Sequence, residues 1–576
     1  MATDGSGVSQ VVTAESPQGL ALHSAGGEPN LMKRTEGPVS LEGAGRGSPA
    51  LQGVFLAGAF ATLLGAFVRL APAFASVFPV NDGGLFYVFV HEIQAAHFGL
   101  PAYSSYNQAG IPFLYPPLSF YLTGFLSSLT GISVLDLVRW LPPLISVSTV
   151  PAFYLVARRL VRADLPAAAA AFSYALLPTA FDFMIVGGGL PRALGILFCL
   201  LTLYQAADLL THGRRSHLAA TAACASLTVL SHPVVAWFMA YSLPILFIFL
   251  GRSRRALWKL LAVGVAVVLL TSPWWGVSIA RHGLAPLLAA FQAGSRSWSA
   301  LLAPFLFLHT NELYLTLLAV FSLLGAFLCL RRGEYLLPAW LAVVFLLETR
   351  LTATYAAIPT ALLAGIGYAR GILPALAGTK DGPSADALNR TADLSRKGTA
   401  ATIPGHWVPP LATSFFLSYL LIAAFLAAPR NALPDPQRQA MEWVRASTPA
   451  ASRFVIISGI GQAGIDYVSE WFPALTERVS VATPQGYEWF PGEVFNRRWD
   501  LHAELQSCGV QDIRCLEAWA ARTQSPFAYV YLVKSLPGSA ETGDTRDLYE
   551  SLLSSPDYDE VYSQEDVSIF ASRSVP

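Results

Sequence analysis

The residue with the clearest catalytic potential is an aspartate early in the chain. Asp82 lies in the segment Asn-Asp-Gly-Gly, and its carboxylate could accept a proton from a substrate hydroxyl. The two glycines that follow would let a substrate approach the backbone closely. The alternative interpretation is that Asp82 or Asn81 only caps the helix that follows. The residues leave both interpretations open.

Two arginines could bind an anion. Arg192 follows Gly-Gly-Gly-Leu-Pro, and Arg350 stands two positions after Glu348. A guanidinium binds a phosphate through two parallel hydrogen bonds, which a lysine cannot do. Each arginine could equally form a structural salt bridge, Arg350 with Glu348 and Arg192 with Asp182.

Further polar and aromatic residues in the same part of the chain could bind a substrate. His91 and Glu92 could act as acid–base groups, or could belong to a solvated helix face. Tyr106 and Tyr115 could stack on a sugar, although tyrosine is also common at a membrane interface. His232 precedes a proline at a predicted helix end, where a histidine is more often structural than a ligand.

The cofactor is unknown from the sequence, and a divalent metal such as Mg²⁺ or Mn²⁺ is left open. Asp82, Glu92 and Asp182 are the candidate ligands because carboxylate oxygens are the ligands that these ions prefer. His91 and His97 do not form a helical ligand pair, because residues six apart point to different faces of a helix.

The composition indicates a membrane protein. Hydrophobic residues make up 54% of the chain, charged residues 13%, and the mean hydropathy is +0.48. A soluble protein averages about 25% charged residues, so this chain has too little charge for a water-facing surface. The 37 basic and 37 acidic residues cancel, which gives no charge signal for nucleic acid binding. The fold class is therefore a polytopic α-helical membrane protein.

Apolar segments long enough to span a bilayer recur to about residue 428. Basic residues near helix ends stay in the cytoplasm, so the arginine clusters orient these segments. They predict a cytoplasmic N-terminus and a large external loop over residues 72–138. The apolar part of that loop, 113–131, is expected to lie at the membrane interface, because a crossing there would invert every later basic loop. The predicted spans number eleven, at 51–71, 140–157, 166–181, 193–210, 218–230, 234–250, 257–274, 313–330, 336–347, 353–369 and 410–428.

The rest of the chain divides by composition. Residues 1–50 are predicted to be a disordered cytoplasmic tail, and 371–408, within the membrane domain 51–428, a cytoplasmic linker. Residues 430–576 have the composition of a small α/β domain, expected outside the membrane. In it, β-type runs occur at 453–458, 529–533 and 567–571, and Asp435-Pro436 signals a helix start. Exported domains can keep disulfides, so Cys508 and Cys515 are expected to be bridged, with two free thiols as the alternative.

This order of features resembles the GT-C membrane glycosyltransferases. The features common to this chain and that family are a cytoplasmic N-terminus, an acidic residue at the start of a large external loop, a Tyr-Pro-Pro-Leu segment before a juxtamembrane helix, and an exported C-terminal domain. More narrowly, a group of bacterial membrane proteins named after 6-pyruvoyl-tetrahydropterin synthase is similar in the segments NDGGLFYVFVHEIQ, YNQAGIPFLYPPLSFYL and EWFPALTERVS followed by QGYEW. Nothing in the chain supports pterin chemistry.

The resemblance implies transfer of a sugar, with inversion, from a polyprenyl-phosphate carrier to an acceptor outside the bacterial plasma membrane. Asp82 would be the base, and Arg350 or Arg192 would bind the departing phosphate. The paired acidic motif that is common in the family is not present, because Asn81 precedes Asp82 and glycines follow it. Glu92 or Asp182 would then be the second carboxylate, if one is needed.

Two other classes of function stay open. The first is a transporter or lipid flippase, which usually carries ionisable residues near the bilayer midplane in repeated halves. Here the ionisable residues fall at the predicted outer ends, and no repeat is visible. The second is a non-catalytic envelope assembly protein in which residues 430–576 do the work.

Overall fold

The computed structural model describes residues 49–294, 301–348, 350–378, 405–534 and 544–573. The N-terminal tail predicted over 1–50 therefore lies almost wholly outside the described residues. The helices before residue 430 are α1 Pro49–Ala75, α2 Gly84–Ala95, α3 Leu118–Thr130, α4 Val134–Val161, α5 Asp164–Leu176, α6 Leu190–His212, α7 Arg215–Ser231, α8 Pro233–Leu250, α9 Arg254–His282, α10 Ala285–Gln292, α11 Leu317–Arg331, α12 Leu336–Leu347, α13 Thr352–Gly367, α14 Leu373–Ala377 and α15 Val408–Ala427.

Each of the eleven predicted spans contains a helix, but the count of eleven membrane crossings is not confirmed. Among the described residues, seven helices are long and apolar enough to cross a membrane. They include α1, α4, α6, α8, α9, α13 with its continuation, and α15. The helices α11 and α12 are apolar but shorter, with 15 and 12 residues. A span needs about 20 residues.

Helix α3 has 13 residues and is too short to cross a bilayer alone. It starts one residue after Pro117, and Gly131 ends it in the left-handed conformation with φ 74°, which glycine adopts without a steric penalty. The prediction of a helix inside 113–131 is correct, and its place at the membrane interface stays a prediction.

The linker predicted over 371–408 is shorter than expected. A π-helical turn, Tyr368–Ile372, joins α13 to α14, so the helix continues to Ala377. On the other side, a 3₁₀ turn over Gly405–Trp407 leads directly into α15. The apolar Ile372 and Leu373 extend the helical pattern beyond the boundary that the first polar residues suggested. The middle of the linker lies outside the described residues.

The C-terminal region is an α/β fold. Its helices are α16 Asp435–Ser447, α17 Tyr467–Thr476, α18 Val494–Gln506, α19 Ile513–Thr523 and α20 Arg546–Ser554, and its strands are β3 Arg453–Ile457, β4 Val479–Ser480, β5 Tyr529–Val533, β6 Tyr558–Ser563 and β7 Val567–Ser572. The strand order is β4-β3-β5-β7-β6. The strand β3 is parallel to both β4 and β5, whereas β7 is antiparallel to β5 and β6. Cys508 and Cys515 form a disulfide beside this sheet.

The first loop and the C-terminal region share one hydrophobic core. Helix α2 packs on α17, and a short hairpin of β1 Tyr103–Ser104 and β2 Ile111–Pro112 lies in the same loop. Phe89 and Ile93 of α2 are fully buried together with Trp471 and Phe472 of α17. Aromatic rings bury large areas, so they contribute strongly to such a core. The loop is thereby fixed against the last part of the chain.

Candidate functional site

Asp82 lies in the turn between α1 and α2. Asn81 before it has φ 56° and Gly83 after it has φ 139°. These are left-handed values that asparagine tolerates and that glycine adopts freely. The Gly188 N–H donates to both the main-chain oxygen and Oδ1 of Asp82, at 3.0 and 3.1 Å. The side chain therefore turns towards residues 187–189.

Asp82 and Asn81 do not cap α2, so the capping interpretation is wrong. The residue at the N-cap is Gly83, which has no side chain that could accept a hydrogen bond from the first N–H groups of the helix. The carboxylate of Glu470, on α17, takes that place instead. It accepts the N–H groups of Gly83, Gly84 and Leu85 at 3.1, 2.9 and 2.9 Å, groups that a helix N-terminus otherwise leaves without partners.

Glycine is required where residues 187–189 approach this turn. A Cβ on Gly188 would lie 2.6 Å from Cγ of Asp82, and one on Gly187 would lie 3.3 Å from the Asp82 carbonyl carbon. The Trp471 indole N–H donates to the Asn81 carbonyl at 2.8 Å on the opposite side. The turn is therefore held from α17 and from the glycines before α6.

Asp82 opens onto a cavity of about 830 Å³. The cavity brings together residues from distant parts of the chain: Asp82, Phe86 and Tyr115 from the first loop, Gly188 and Arg192 before and on α6, Arg350 before α13, and Gln462, Glu470, Gln485, Glu488, Phe495, Asn496, Trp499 and Asp500 from the C-terminal region. Asp82, Arg192, Arg350 and Tyr115 were candidates from the sequence, and the fold places all four around one space.

Both arginines are held by main-chain carbonyls. Arg192 donates to the Phe183 carbonyl at 3.0 Å and lies over the Phe183 ring. Arg350 donates to the carbonyls of Ala290 and Phe291 on α10. Fixed guanidinium groups of this kind can stabilise a phosphate without first reorganising.

Three carboxyl groups of the cavity, those of Asp82, Glu470 and Glu488, hold their protons more tightly than in water. Burial raises the pKa of Asp82, although the positive charge of Arg192 and the Gly188 hydrogen bond act in the opposite direction. Burial and the negative charge of Asp82 raise the pKa of Glu470 to about 8. Burial raises the pKa of Glu488 to about 7. The raised pKa of Asp82 makes its carboxylate a stronger proton acceptor once ionised.

His91, Glu92 and Tyr106 do not reach Asp82. They line a different cavity of about 680 Å³. Glu92 Oε1 accepts three hydrogen bonds, from the hydroxyl groups of Ser104 and Ser105 and from the Ser105 N–H. The Tyr106 hydroxyl donates to the Glu470 carbonyl at 2.7 Å. Glu92 is therefore not the second carboxylate beside Asp82.

His232 and Asp182 lie near the site with other roles. The Nδ1 atom of His232 accepts the Val235 N–H at 3.3 Å, so this histidine caps α8. Asp182 lies in the wall of an adjoining cavity of about 480 Å³, which shares Arg350 and Leu351 with the first. Burial raises the pKa of Asp182 to about 7. Much of that adjoining wall is apolar, with Leu302, Leu306, Leu308 and Phe345.

The described residues give little support to a protein-held metal. They contain no group of three or more His, Cys, Asp or Glu side chains placed to hold a metal ion. Glu470 and Asp82 are neighbours, but Glu470 already accepts three N–H groups. A carboxylate offers about four acceptor positions, so Glu470 has about one left. Asp82 would therefore be the main protein ligand of a metal ion bound here. The candidate ligands Glu92 and Asp182 line other cavities.

Glu470 and the glycines before α6 were not identified as site residues from the sequence. Glu470 lies in an aromatic-rich segment typical of a domain core, and 387 positions separate it from Gly83. Its burial, which would be costly for a charge without partners, is visible only in the structure, so no local sequence pattern singles it out.

Comparison with protein families gives a match over residues 113–364. The matching model is described as a 6-pyruvoyl-tetrahydropterin synthase related domain of a membrane protein. This agrees with the resemblance in the sequence, and with the apolar helices it identifies an integral membrane protein. No curated protein sequence matches the chain.

Solved structures with a similar fold include glycosyltransferases of the GT-C type. The oligosaccharyltransferase AglB from Archaeoglobus fulgidus is 14% identical with a TM-score of 0.51, over 84% of this chain and 70% of AglB. ArnT from Cupriavidus metallidurans is 15% identical with a TM-score of 0.51, over 91% of this chain and 98% of ArnT. The mycobacterial arabinofuranosyltransferase AftD is 17% identical with a TM-score of 0.53, over 90% of this chain but only 40% of AftD. The fold class is thereby confirmed as GT-C.

Proposed function

We propose that the protein is a membrane glycosyltransferase that moves a sugar from a polyprenyl-phosphate carrier to an acceptor hydroxyl on the outer side of the plasma membrane. One observation carries the proposal: a base and two fixed cations, Asp82, Arg192 and Arg350, line a single cavity in a GT-C fold. Structures with this fold include an AglB complex with a dolichol-phosphate and ArnT bound to undecaprenyl phosphate.

In the proposed reaction Asp82 accepts the proton of the acceptor hydroxyl as that oxygen attacks the anomeric carbon. The bond between the anomeric carbon and the phosphate oxygen breaks, and its electron pair stays on the phosphate. Attack from the side opposite the phosphate inverts the anomeric centre. Arg350 and Arg192 stabilise the negative charge that develops on the departing phosphate.

The apolar cavity beside Arg350 suits the carrier's lipid tail. It shares Arg350 and Leu351 with the main cavity, and apolar side chains such as Leu306 and Phe345 line it. A phosphate at Arg350 could therefore keep its tail in an apolar groove while the sugar faces Asp82.

The test uses purified full-length protein in lipid nanodiscs. The protein is incubated with undecaprenyl-phosphate and dolichyl-phosphate sugars together with a mixture of hydroxyl acceptors, namely sugars, glycerol and a serine-containing peptide, and release of the free lipid phosphate is measured. The proposal expects release by the wild type and almost none by Asp82→Asn, with lipid-phosphate binding retained in the variant. Equal release by both proteins, or no release from any of the donors, would overturn it.

A further inference from the structure

The cavity at Asp82 has two chemically different walls. The membrane-domain side carries both of its cations, Arg192 and Arg350. The wall from the C-terminal region carries aromatic rings, carboxamides and carboxylates: Gln462, Glu470, Gln485, Glu488, Phe495, Asn496, Trp499 and Asp500. Among the described residues, no lysine or arginine of the C-terminal region lines this cavity. A phosphate would therefore find cationic partners, among the residues that the structure describes, only at the first wall.

Two arginines, Arg497 and Arg498, stand between Asn496 and Trp499 in the sequence, and neither lines the cavity. Arg498 donates to the carbonyls of Val481 and Thr483 and lies 3.7 Å from the centre of the Tyr487 ring. The side chain is thereby held against the domain's own backbone. Its neighbour Trp499 lines the cavity instead.

The glycine-rich loop at this wall does not provide an anion site either. Residues 459–464, Gly-Ile-Gly-Gln-Ala-Gly, follow β3 and precede α17, a position where loops often bind phosphate at the next helix N-terminus. Here the carboxylate of Asp466 already accepts the Ser469 N–H at 3.0 Å. This fixed negative charge opposes an anionic ligand.

The wall presents an aromatic ring beside amide groups. A Cβ on Gly464 would lie 2.9 Å from the Trp499 ring, so the glycine allows the indole to lie directly against the loop. The Gln485 amide N–H₂ donates to the Ala463 carbonyl at 3.2 Å, which orients the amide. Its Oε1 is buried and has no hydrogen-bond partner among the described residues, so it can accept a hydrogen bond from a ligand hydroxyl.

The same wall continues beyond the main cavity. A second cavity of about 390 Å³ shares Glu488, Phe495 and Asn496 with it, and adds Gln292 and Phe490. This extension again contains rings and amide or carboxylate groups, and no lysine or arginine among the described residues lines it. The wall is thus long enough to contact more than one unit of a chain-like ligand.

We infer that this wall is the acceptor site and that the acceptor is a neutral oligosaccharide whose terminal hydroxyl reaches Asp82. The inference rests on the proposed glycosyl transfer. Sugars present C–H faces that pack on aromatic rings and hydroxyl groups that pair with amides and carboxylates. The position of the cations then separates the substrates: the phosphate donor binds at Arg192 and Arg350, and the uncharged acceptor binds opposite.

The experiment measures binding of small sugars to the full-length protein in nanodiscs by saturation-transfer NMR. The probes are linear neutral trisaccharides of glucose, mannose, galactose and arabinose, with trigalacturonic acid as the anionic comparison and an uncharged tripeptide as the peptide comparison. At least one neutral trisaccharide should bind, and more tightly than either comparison. Trp499→Ala should weaken that binding about tenfold, and Trp499→Phe should weaken it less.

Two further variants guard against a folding defect. Gln462 is exposed in the same wall, so Gln462→Ala should leave the fold intact and weaken binding about threefold, the loss of one hydrogen bond. Trp407 is 54% exposed and lies outside both cavities, so Trp407→Ala should bind like the wild type. Unchanged binding in Gln462→Ala and Trp499→Phe, or equal binding of the anionic or peptide probe, would overturn the inference.

Binding of undecaprenyl phosphate to the same samples, measured by native mass spectrometry, separates the two proposals. If it binds and donor sugars are turned over, but no trisaccharide binds, the acceptor inference is wrong and the proposed function stands. If trisaccharides bind at Trp499 but no donor is turned over, the proposed function fails. The wall would then be a carbohydrate-binding surface, and its role as an acceptor site would be overturned with the transfer.

Discussion

Helix α2 separates two cavities, each with a carboxylate. Asp82, before the helix, faces a cavity that also contains Arg192 and Arg350. Glu92, near the end of the helix, faces a cavity with His91 and Arg445. In the sequence the two acids looked similar, since they flank the same apolar run at residues 85–90.

Their partners distinguish them. One oxygen of Glu92 accepts three hydrogen bonds from Ser104 and Ser105 and so anchors the β1 strand end. Within the described part of the chain, the Asp82 side chain accepts a hydrogen bond from the Gly188 N–H alone of the neighbouring residues, because Glu470 supplies the helix cap. A carboxylate thus becomes available for chemistry when another residue caps the adjacent helix in its place.

The largest expected difference is between Asp82→Asn and Glu92→Gln. Loss of a general base lowers turnover by roughly 10²–10⁴-fold, and the asparagine keeps an oxygen for the Gly188 N–H. Glu92→Gln should retain turnover within about threefold, because its oxygen still accepts from the serines. Release of lipid phosphate measures both. Similar losses in the two variants would erase the distinction between the cavities.

Arginines on the two sides of α2 give the next contrast. Arg350→Ala should lower kcat/KM about 10²–10³-fold, since it removes a fixed donor to the departing phosphate. Arg445 forms an exposed ion pair with Glu477 at 2.5 Å, so Arg445→Ala should leave kcat/KM unchanged. The measurement is the donor dependence of lipid-phosphate release. A matching loss in Arg445→Ala would indicate that the donor binds in the cavity of Glu92 and contradict the proposed donor site at Arg350.

A smaller effect is expected from Gly188→Ala. The added Cβ would meet the Asp82 carboxyl carbon at 2.6 Å and displace the base, which should lower kcat about tenfold. Gly276 on α9 has nothing within 4 Å of such a Cβ, so Gly276→Ala is the matched control. Steady-state kinetics at saturating donor, with thermal unfolding as a check of the fold, distinguish displacement of Asp82 from general destabilisation.

The smallest expected effect is on the pH profile. Turnover should rise with pH as Asp82 loses its proton, at a pH above the usual range of an aspartate because burial raises its pKa. A further rise near pH 8 should follow the ionisation of Glu470, whose negative charge makes Asp82 a stronger base. The two acids titrate as a coupled pair. Glu470→Gln should remove the second rise, and Glu477→Gln, an exposed neighbour, should keep it.

The sequence predicts the regular parts of this fold well. The runs at 453–458, 529–533 and 567–571 match β3, β5 and β7, because continuous β-branched and aromatic residues form buried strands. The strand β6 was missed because its sequence, YDEVYS, is largely polar and exposed. The helix start predicted at Asp435-Pro436 is confirmed, since the helix begins at Asp435 with Pro434 at its N-cap.

The site was predictable only where its residues carry a local signal. Asp82 stands between an apolar segment and two glycines, and Arg350 stands at an apolar segment's end, so both are visible in a short window of sequence. Glu470 has no such signal, since its three hydrogen bonds reach α2 from the far end of the chain. Pairings over such sequence separations depend on tertiary structure, which a local pattern does not encode.

The contact between Glu470 and the start of α2 also sets an order of assembly. Until residues near 470 have been synthesised and folded, the three N–H groups that this carboxylate binds have no such partner, and the adjacent turn lacks one of its supports. A nascent or prematurely terminated polypeptide would carry the membrane helices yet have no positioned proton acceptor. Under the proposed function, lipid-linked sugar would thus be spared from hydrolysis until the whole chain has been made.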